Sequence, residues 1–445
     1  ATGTLPSGQA VALKADGTVE AIAQSGEVIP NGSSVTYNST GRTDFNDTAF
    51  NPNTAGQFVV VYQDDGNSSY GTAIVGTVSG TSISFGAPSV FASETVTDTR
   101  ISFDPNSAGK FVVSYKNSAA YGTCVIGSVS GTNITFGTSV NYITDSPGNS
   151  SVAFNPTEAN QFIVVFGDGT NLSHGTAIVG TVSGTSISYG SKFVYNAGNA
   201  TLYNQVAFDA STAGTFVVGY RDVDTQGKVL VGTISGASLS FGSEVVFNSG
   251  DTGVISLASN PSTANQYVLS YTDSANSNYG TAVIATVSGT SITVGSEVVF
   301  NSGTTYESSI AFCPTISNQL TVAYQDRTNT DRPTVSVGTV SGTDITFGSE
   351  IVLSSVAGQY DELAFDPNYS GRFVVVYKDT SNSNYGTAIL GQLTATNLSA
   401  TTFLGITAEG ISNGATGSVT IKGGIVSNST LLPSAVSGSA GSSVT

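Results

Sequence analysis

Six acidic residues recur at one place in a repeating pattern: Asp64, Asp168, Asp222, Asp273, Asp326 and Asp379, each closing a run of apolar residues, with Asn117 in the one copy that lacks the acid. Six carboxylates on one face could hold a cation or hydrogen-bond a polar ligand. The competing reading is structural, because Asp or Asn at a strand end accepts backbone N–H groups a few residues on and closes a turn. No loop has the alternating acidic pattern of an EF-hand, and Asp64-Asp65-Gly66-Asn67 is too short to specify calcium. Arginine is the other informative type, with six in all. Arg221 clusters with Asp222 and Asp224, and Arg327 and Arg332 cluster with Asp331. Glu94, Asp98 and Arg100 form a third group, and Tyr360, Asp361 and Glu362 a fourth. These charges break the repeat. The six acids with Arg221, Arg327 and Arg332 are therefore the candidate ligand contacts.

Catalytic chemistry finds little support. His174 is the single histidine and replaces the Tyr found at positions 70, 121, 279 and 385 of other copies. One histidine excludes sites that need two His ligands. No nucleophile-elbow motif is present. Glycoside hydrolysis needs a pair of carboxylates, and the loop charges read more simply as a solvated face. Cys124 and Cys313 fall at non-equivalent positions of different copies, which predicts neither a disulfide nor a metal site. The expectation is a non-enzymatic protein without cofactor or metal.

Lys and Arg number 13 against 30 Asp and Glu, a formal charge of −17. That balance excludes phosphate-backbone binding, which needs clustered cations. It also speaks against anionic membrane surfaces. No apolar stretch approaches the roughly 18 residues that span a bilayer. The N-terminus, Ala1-Thr2-Gly3-Thr4-Leu5-Pro6, does not read as a signal peptide.

The elements that carry these residues come from an internal repeat. Val/Ile-Ser-Gly recurs with Gly at 80, 131, 184, 236, 289 and 342, spaced by 51 to 53 residues, and a degenerate seventh copy ends at Ala395. In the first copy Thr48-Ala49-Phe50 is a strand, and Asn51-Pro52-Asn53-Thr54-Ala55-Gly56 a turn. Gln57 to Tyr62 is a second strand, Tyr70 to Val78 a third, and Thr81 to Phe85 a fourth after the Ser79-Gly80 hairpin. Gly or Asn at 56, 109, 160, 214, 265, 318 and 371 predicts a left-handed residue entering the second strand. The second strand does not alternate; Phe58-Val59-Val60-Val61-Tyr62 is apolar throughout, which predicts burial on both faces.

Four strands per repeat with doubly buried middle strands predict an all-β fold: a seven-bladed β-propeller of four-stranded blades. The seventh copy lacks the usual outer-strand ending, and Ser34 to Ser39 resembles it. The N-terminal segment is thus expected to complete the last blade beside Thr402-Phe403-Leu404 and close the ring. This gives residues 1–32 as an N-terminal β flank, 33–404 as the propeller and 405–445 as a C-terminal β segment and tail. The flanks, with an Asp16-Gly17 turn in the first, are expected to pair as a small β module.

The unit Tyr-Gly-Thr-Ala-Ile-Val-Gly-Thr-Val-Ser-Gly-Thr-Ser-Ile-Ser-Phe-Gly at residues 70–86, with the flanks Leu13 to Val19 and Phe403 to Gly424, resembles repetitive tail-fibre and virion-surface proteins of marine tailed bacteriophages. The resemblance implies a fibre, spike or decoration on the virion surface that displays a propeller for attachment. Its implied partners are other virion proteins or host surface glycans, with a homo-oligomer as a possibility. The alternatives are a secreted bacterial adhesin or surface-layer component, and a polysaccharide-active propeller enzyme. The resemblance carries over no catalytic residues.

Overall fold

The computed structural model describes residues 32–394, together with the short strands Ala10–Leu13, Val19–Ala21, Glu27–Pro30, Gly405–Thr407, Val419–Thr420 and Ser443–Val444. The chain divides into two compact units, residues 26–393 and residues 1–25 with 394–445.

In the larger unit each repeat forms one four-stranded antiparallel sheet. Blade 1 runs from the inner strand Thr43–Phe50 through Gln57–Asp64 and Tyr70–Ser79 to the outer Ser82–Phe85. A further segment, Ser89–Thr95, pairs with the other end of the third strand. Blades 2 to 6 repeat this order. Two long strands, Phe193–Phe208 and Val298–Phe312, finish one blade and begin the next. The fold is a β-propeller. Each inner strand packs beside the next blade's inner strand, and the inner strand of the seventh, Gly358–Phe365, packs beside Thr43–Phe50 of the first.

The core explains the unbroken apolar runs. All eight residues of Gln57–Asp64 are buried, as in the second strands of the third, fifth, sixth and seventh blades. Their side chains fill clusters between blades. One joins Val59 and Val61 to Phe111 and Val113, and the closing one joins Val374 and Val376 to Phe58 and Val60. Burying each large apolar side chain contributes about 1.5–3 kcal/mol, so the blade interfaces hold the ring.

The turn entering each second strand is left-handed as expected: Gly56 has φ 73°, Asn160 φ 61° and Gly371 φ 67°. Around these turns the blades are strutted by polar bonds in two alternating styles. In blades 1, 3 and 5 an Asn holds a Gln (Asn51 to Gln57 at 2.6 Å), and that Gln donates to a hairpin carbonyl of the next blade (Gly131 at 2.9 Å). In blades 2, 4 and 7 an Asp replaces the Asn and accepts the next blade's left-handed N–H, as Asp104 does from Asn160 at 3.1 Å.

The ring closes through the N-terminal segment. Val35–Asn38 pairs with the third strand of blade 7, Thr36 opposite Thr387 and Asn38 opposite Gly386. Glu27–Pro30 supplies the fourth strand of that same blade. Placing residues up to 32 in a separate flank therefore needs correction, since Val28 is buried with Leu393 in the core between blades 6 and 7. The expected partner Thr402-Phe403-Leu404 lies outside the described residues.

In the smaller unit Ala10–Leu13 pairs with Val19–Ala21 and with Gly405–Thr407, which joins the two flanks. The Asp16-Gly17 turn lies outside the described residues.

Candidate functional site

The recurring acids are spent on the protein's own backbone. Asp168 Oδ1 accepts the Thr170 N–H at 3.0 Å, Asp326 the Thr328 N–H at 3.0 Å, and Asp379 the Ser381 N–H at 3.0 Å. Asp273 accepts from Asn276 and Asp222 from Gln226, while Asn117 takes the same role through Ala119 and Tyr121. Asp64 differs, receiving the Asn38 side-chain amide of the closing strand. All six acids are buried, each at the end of a different second strand. Asp168 and Asp222 also take Lys192 and Lys228, both at 2.9 Å. The structure does not bring these carboxylates together. Among the described residues no group of three or more His, Cys, Asp or Glu could hold a metal.

Both cysteines are buried with free thiols, and burial pushes the Cys124 thiol up to about 12. Neither is placed for chemistry.

Of the residues that break the repeat, Asp98, Arg100 and Glu362 line one cavity and Arg221 and Arg327 a second. Every inner strand carries a β-bulge near its start, where its register with the second strand shifts. Asp98, Asn149, Tyr203 and Glu307 have positive φ there. A bulge kinks the strand and re-aims its side chains. The result is a polar cavity of about 190 Å³ lined from all seven blades, including Asp47, Arg100, Asn149, Tyr203, Ser308 and Glu362.

Arg100 Nη1 lies 3.5 Å from Glu362 Oε1, with the side chains 33% and 27% exposed to the cavity. Asp47 accepts the N–H groups of Thr48 and Ile101, both at 2.8 Å. Burial opposes the charge on Arg100, but Glu362, Asp47, Asp98 and Glu307 together hold it protonated. Burial pushes the Glu362 carboxyl up to about 8, with Asp47 and Glu307 adding to the shift and Arg100 only partly offsetting it. Asp47 is raised as well, again chiefly by desolvation.

The second place is an open cleft of about 270 Å³ on the face that carries the loops between second and third strands. Tyr203 and Val254 line it and the axial cavity alike. It spans blades 4 to 6. The inner-strand position opposite the residue before each loop acid holds Leu202 in blade 4, Gly253 in blade 5 and Tyr306 in blade 6. Leu202 and Tyr306 are exposed, and at Gly253 a side chain would collide with Thr272.

Arg221 Nη2 meets Asp251 Oδ1 at 3.0 Å on one side of the cleft. On the other, the Arg327 guanidinium stacks 4.4 Å from the centre of the Tyr306 ring, which is 47% exposed. Arg221 and Arg327, far apart in sequence, thus share one cleft. Arg332 lies elsewhere, donating to Asn329 at 3.3 Å. Sequence reasoning missed Tyr203, Asp251 and Tyr306. The signal for the two tyrosines was the disagreement among copies at the bulge, which becomes meaningful only when three blades are placed side by side.

No protein-family model matches this sequence, and no curated protein matches it. Solved structures do. The BP39L lectin from Burkholderia pseudomallei superposes with a TM-score of 0.59 at 11% identity, covering 79% of this chain and 97% of the lectin. The β-propeller domain of Cps50 (Swd1) from Myceliophteria thermophila superposes with a TM-score of 0.53 at 8% identity, covering 81% of this chain and 98% of that domain. At these identities the likeness is one of fold: the chain is a β-propeller.

Proposed function

We propose that this chain is a non-enzymatic attachment propeller that binds carbohydrate in the cleft over blade 5. The observation that carries the reading is the half-exposed Tyr306 ring under Arg327, in one cleft with the Arg221–Asp251 pair. A flat apolar ring with hydrogen-bonding groups around it suits a sugar, which is apolar on its ring faces and polar at its edges. The fold likeness to a bacterial lectin supports the same reading.

In the axial cavity both oxygens of Asp47 are taken by backbone amides, which leaves this residue unsuited to the paired-carboxyl chemistry of glycoside hydrolysis.

Binding of the protein to a panel of immobilised glycans tests the proposal. Wild type should bind at least one class, and Tyr306→Ala should lose roughly tenfold or more in affinity while its melting temperature holds. Undiminished binding by Tyr306→Ala would place the site elsewhere.

The sequence resemblance to phage tail-fibre proteins suggests display on a virion surface, with attachment to host glycans as the role. Recovery of the protein in purified particles is the expected result. A signal-bearing precursor released from bacteria would favour the adhesin reading instead.

A further inference from the structure

We infer that the cleft over blade 5 selects an anionic saccharide, with a carboxylate or sulfate ester held between Arg221 and Arg327; this rests on the carbohydrate reading above. Four of the chain's six arginines are occupied elsewhere. Arg372 is buried against Asp366, Arg100 sits among the axial carboxylates, Arg42 pairs with Asp44, and Arg332 donates to Asn329. Arg221 and Arg327 are the two that line the cleft, against one lining carboxylate, Asp251. Among the residues that line the cleft the cations thus exceed the carboxylates by one, while Asp331 beside Arg327 lies outside the lining.

Neither guanidinium is saturated by its neighbours. Arg221 makes one ion pair through Nη2, and its Nε is buried and donates to no group among the described residues. Arg327 lies 3.7 Å from Asp331, beyond hydrogen-bond distance, with both side chains nearly half exposed. Such a pair contributes little by itself. Contact with the Tyr306 ring instead holds the Arg327 head group, and among the described residues its N–H groups make no hydrogen bond. A planar fork with free edge donors matches the paired oxygens of a carboxylate or sulfate. Asp251, about half exposed, remains to accept sugar hydroxyls.

Three probes of matched length test this by calorimetry: an oligogalacturonate, the same oligomer with its carboxyls reduced, and a sulfated carrageenan oligomer. The expected result is binding to an acidic oligomer at least about tenfold tighter than to the reduced one. That preference should weaken as salt is raised and collapse in Arg327→Gln, whose exposed position leaves folding intact. Arg221→Gln should act likewise, with its melting temperature as control. The carboxylate and sulfate arms identify which group is preferred. Equal binding to acidic and reduced oligomers would overturn the inference and leave the carbohydrate reading standing. Binding to none of these probes overturns the inference, and only failure on the wider glycan panel as well would remove the carbohydrate reading.

Discussion

Asp366 Oδ2 accepts the backbone N–H of Gly56 at 2.9 Å across 310 residues of sequence. Its counterparts are Asp104 with Asn160 and Asp209 with Asn265, which join consecutive blades. The junction where the last blade meets the first is therefore built like two of the junctions between consecutive blades. Lys378 of blade 7 adds an ion pair to Asp44 of blade 1 at 2.9 Å, with both side chains nearly buried.

Asp366 also receives the buried Arg372 guanidinium. Asp366→Ala should therefore cost about 3–5 kcal/mol, since it leaves a buried cation alone. Asp104→Ala, which loses hydrogen bonds but strands no arginine, should cost about 1–3 kcal/mol. Urea denaturation of both variants checks the order. Equal costs would show that the closing junction is not specially dependent on its acid.

Removing residues 1–38 takes away both segments that pair with the third strand of blade 7, along with the buried Val28 and Tyr37. Each buried side chain is worth about 2–4 kcal/mol, and the bared strand becomes an edge open to pairing with other chains. The truncated protein should melt markedly earlier and elute as aggregates. A chain lacking only residues 1–25 should keep its melting temperature. Size-exclusion chromatography and circular dichroism distinguish the two outcomes.

Glu362 is raised from 4.5 to about 8 in the folded chain. Between those values the folded state holds a proton that the unfolded state has released, so stability falls as pH rises through the window. The contribution is complete below about 4.5 and lost above about 8. Wild type should lose at least about 1 kcal/mol from this group between mildly acidic and mildly alkaline pH. Glu362→Gln should be less pH-dependent over the same range. Parallel pH profiles for the two proteins would show that the axial carboxyl is not held protonated.

The loop acids should behave as caps. Asp273→Ala and Asp326→Ala should each cost about 0.5–2 kcal/mol and leave ligand affinity unchanged. Asp222→Ala should cost more, because Lys228 beside it is only 13% exposed. Loss of binding without loss of stability in Asp326→Ala would return these acids to the ligand site.

Much of the architecture is legible because it is local. The left-handed turn at Gly56 and its equivalents follows from residue type, and the doubly buried second strands follow from apolar runs such as Phe58 to Tyr62. The alternation of Asn51, Asn155 and Asn260 with Asp104 and Asp209 was present in the sequence as well, but its meaning depends on bonds to the next blade. The cleft was half legible. Arg221 and Arg327 stood out as departures from the repeat, whereas their meeting depends on ring curvature, and the exposure of Tyr306 depends on a bulge. The acids at strand ends carried two readings for a physical reason: a cap and a ligand contact ask for the same side chain in the same place.

Both routes out of the ring leave from blade 7, through Glu27–Pro30 on one side and Tyr385–Thr394 on the other. A pull delivered through either flank therefore reaches this blade first. If the cleft over blade 5 is anchored, tension runs from there around the ring to blade 7. The mechanical fuse of the molecule is then the short N-terminal pairing, whose few hydrogen bonds would yield before the other strands of blade 7 part.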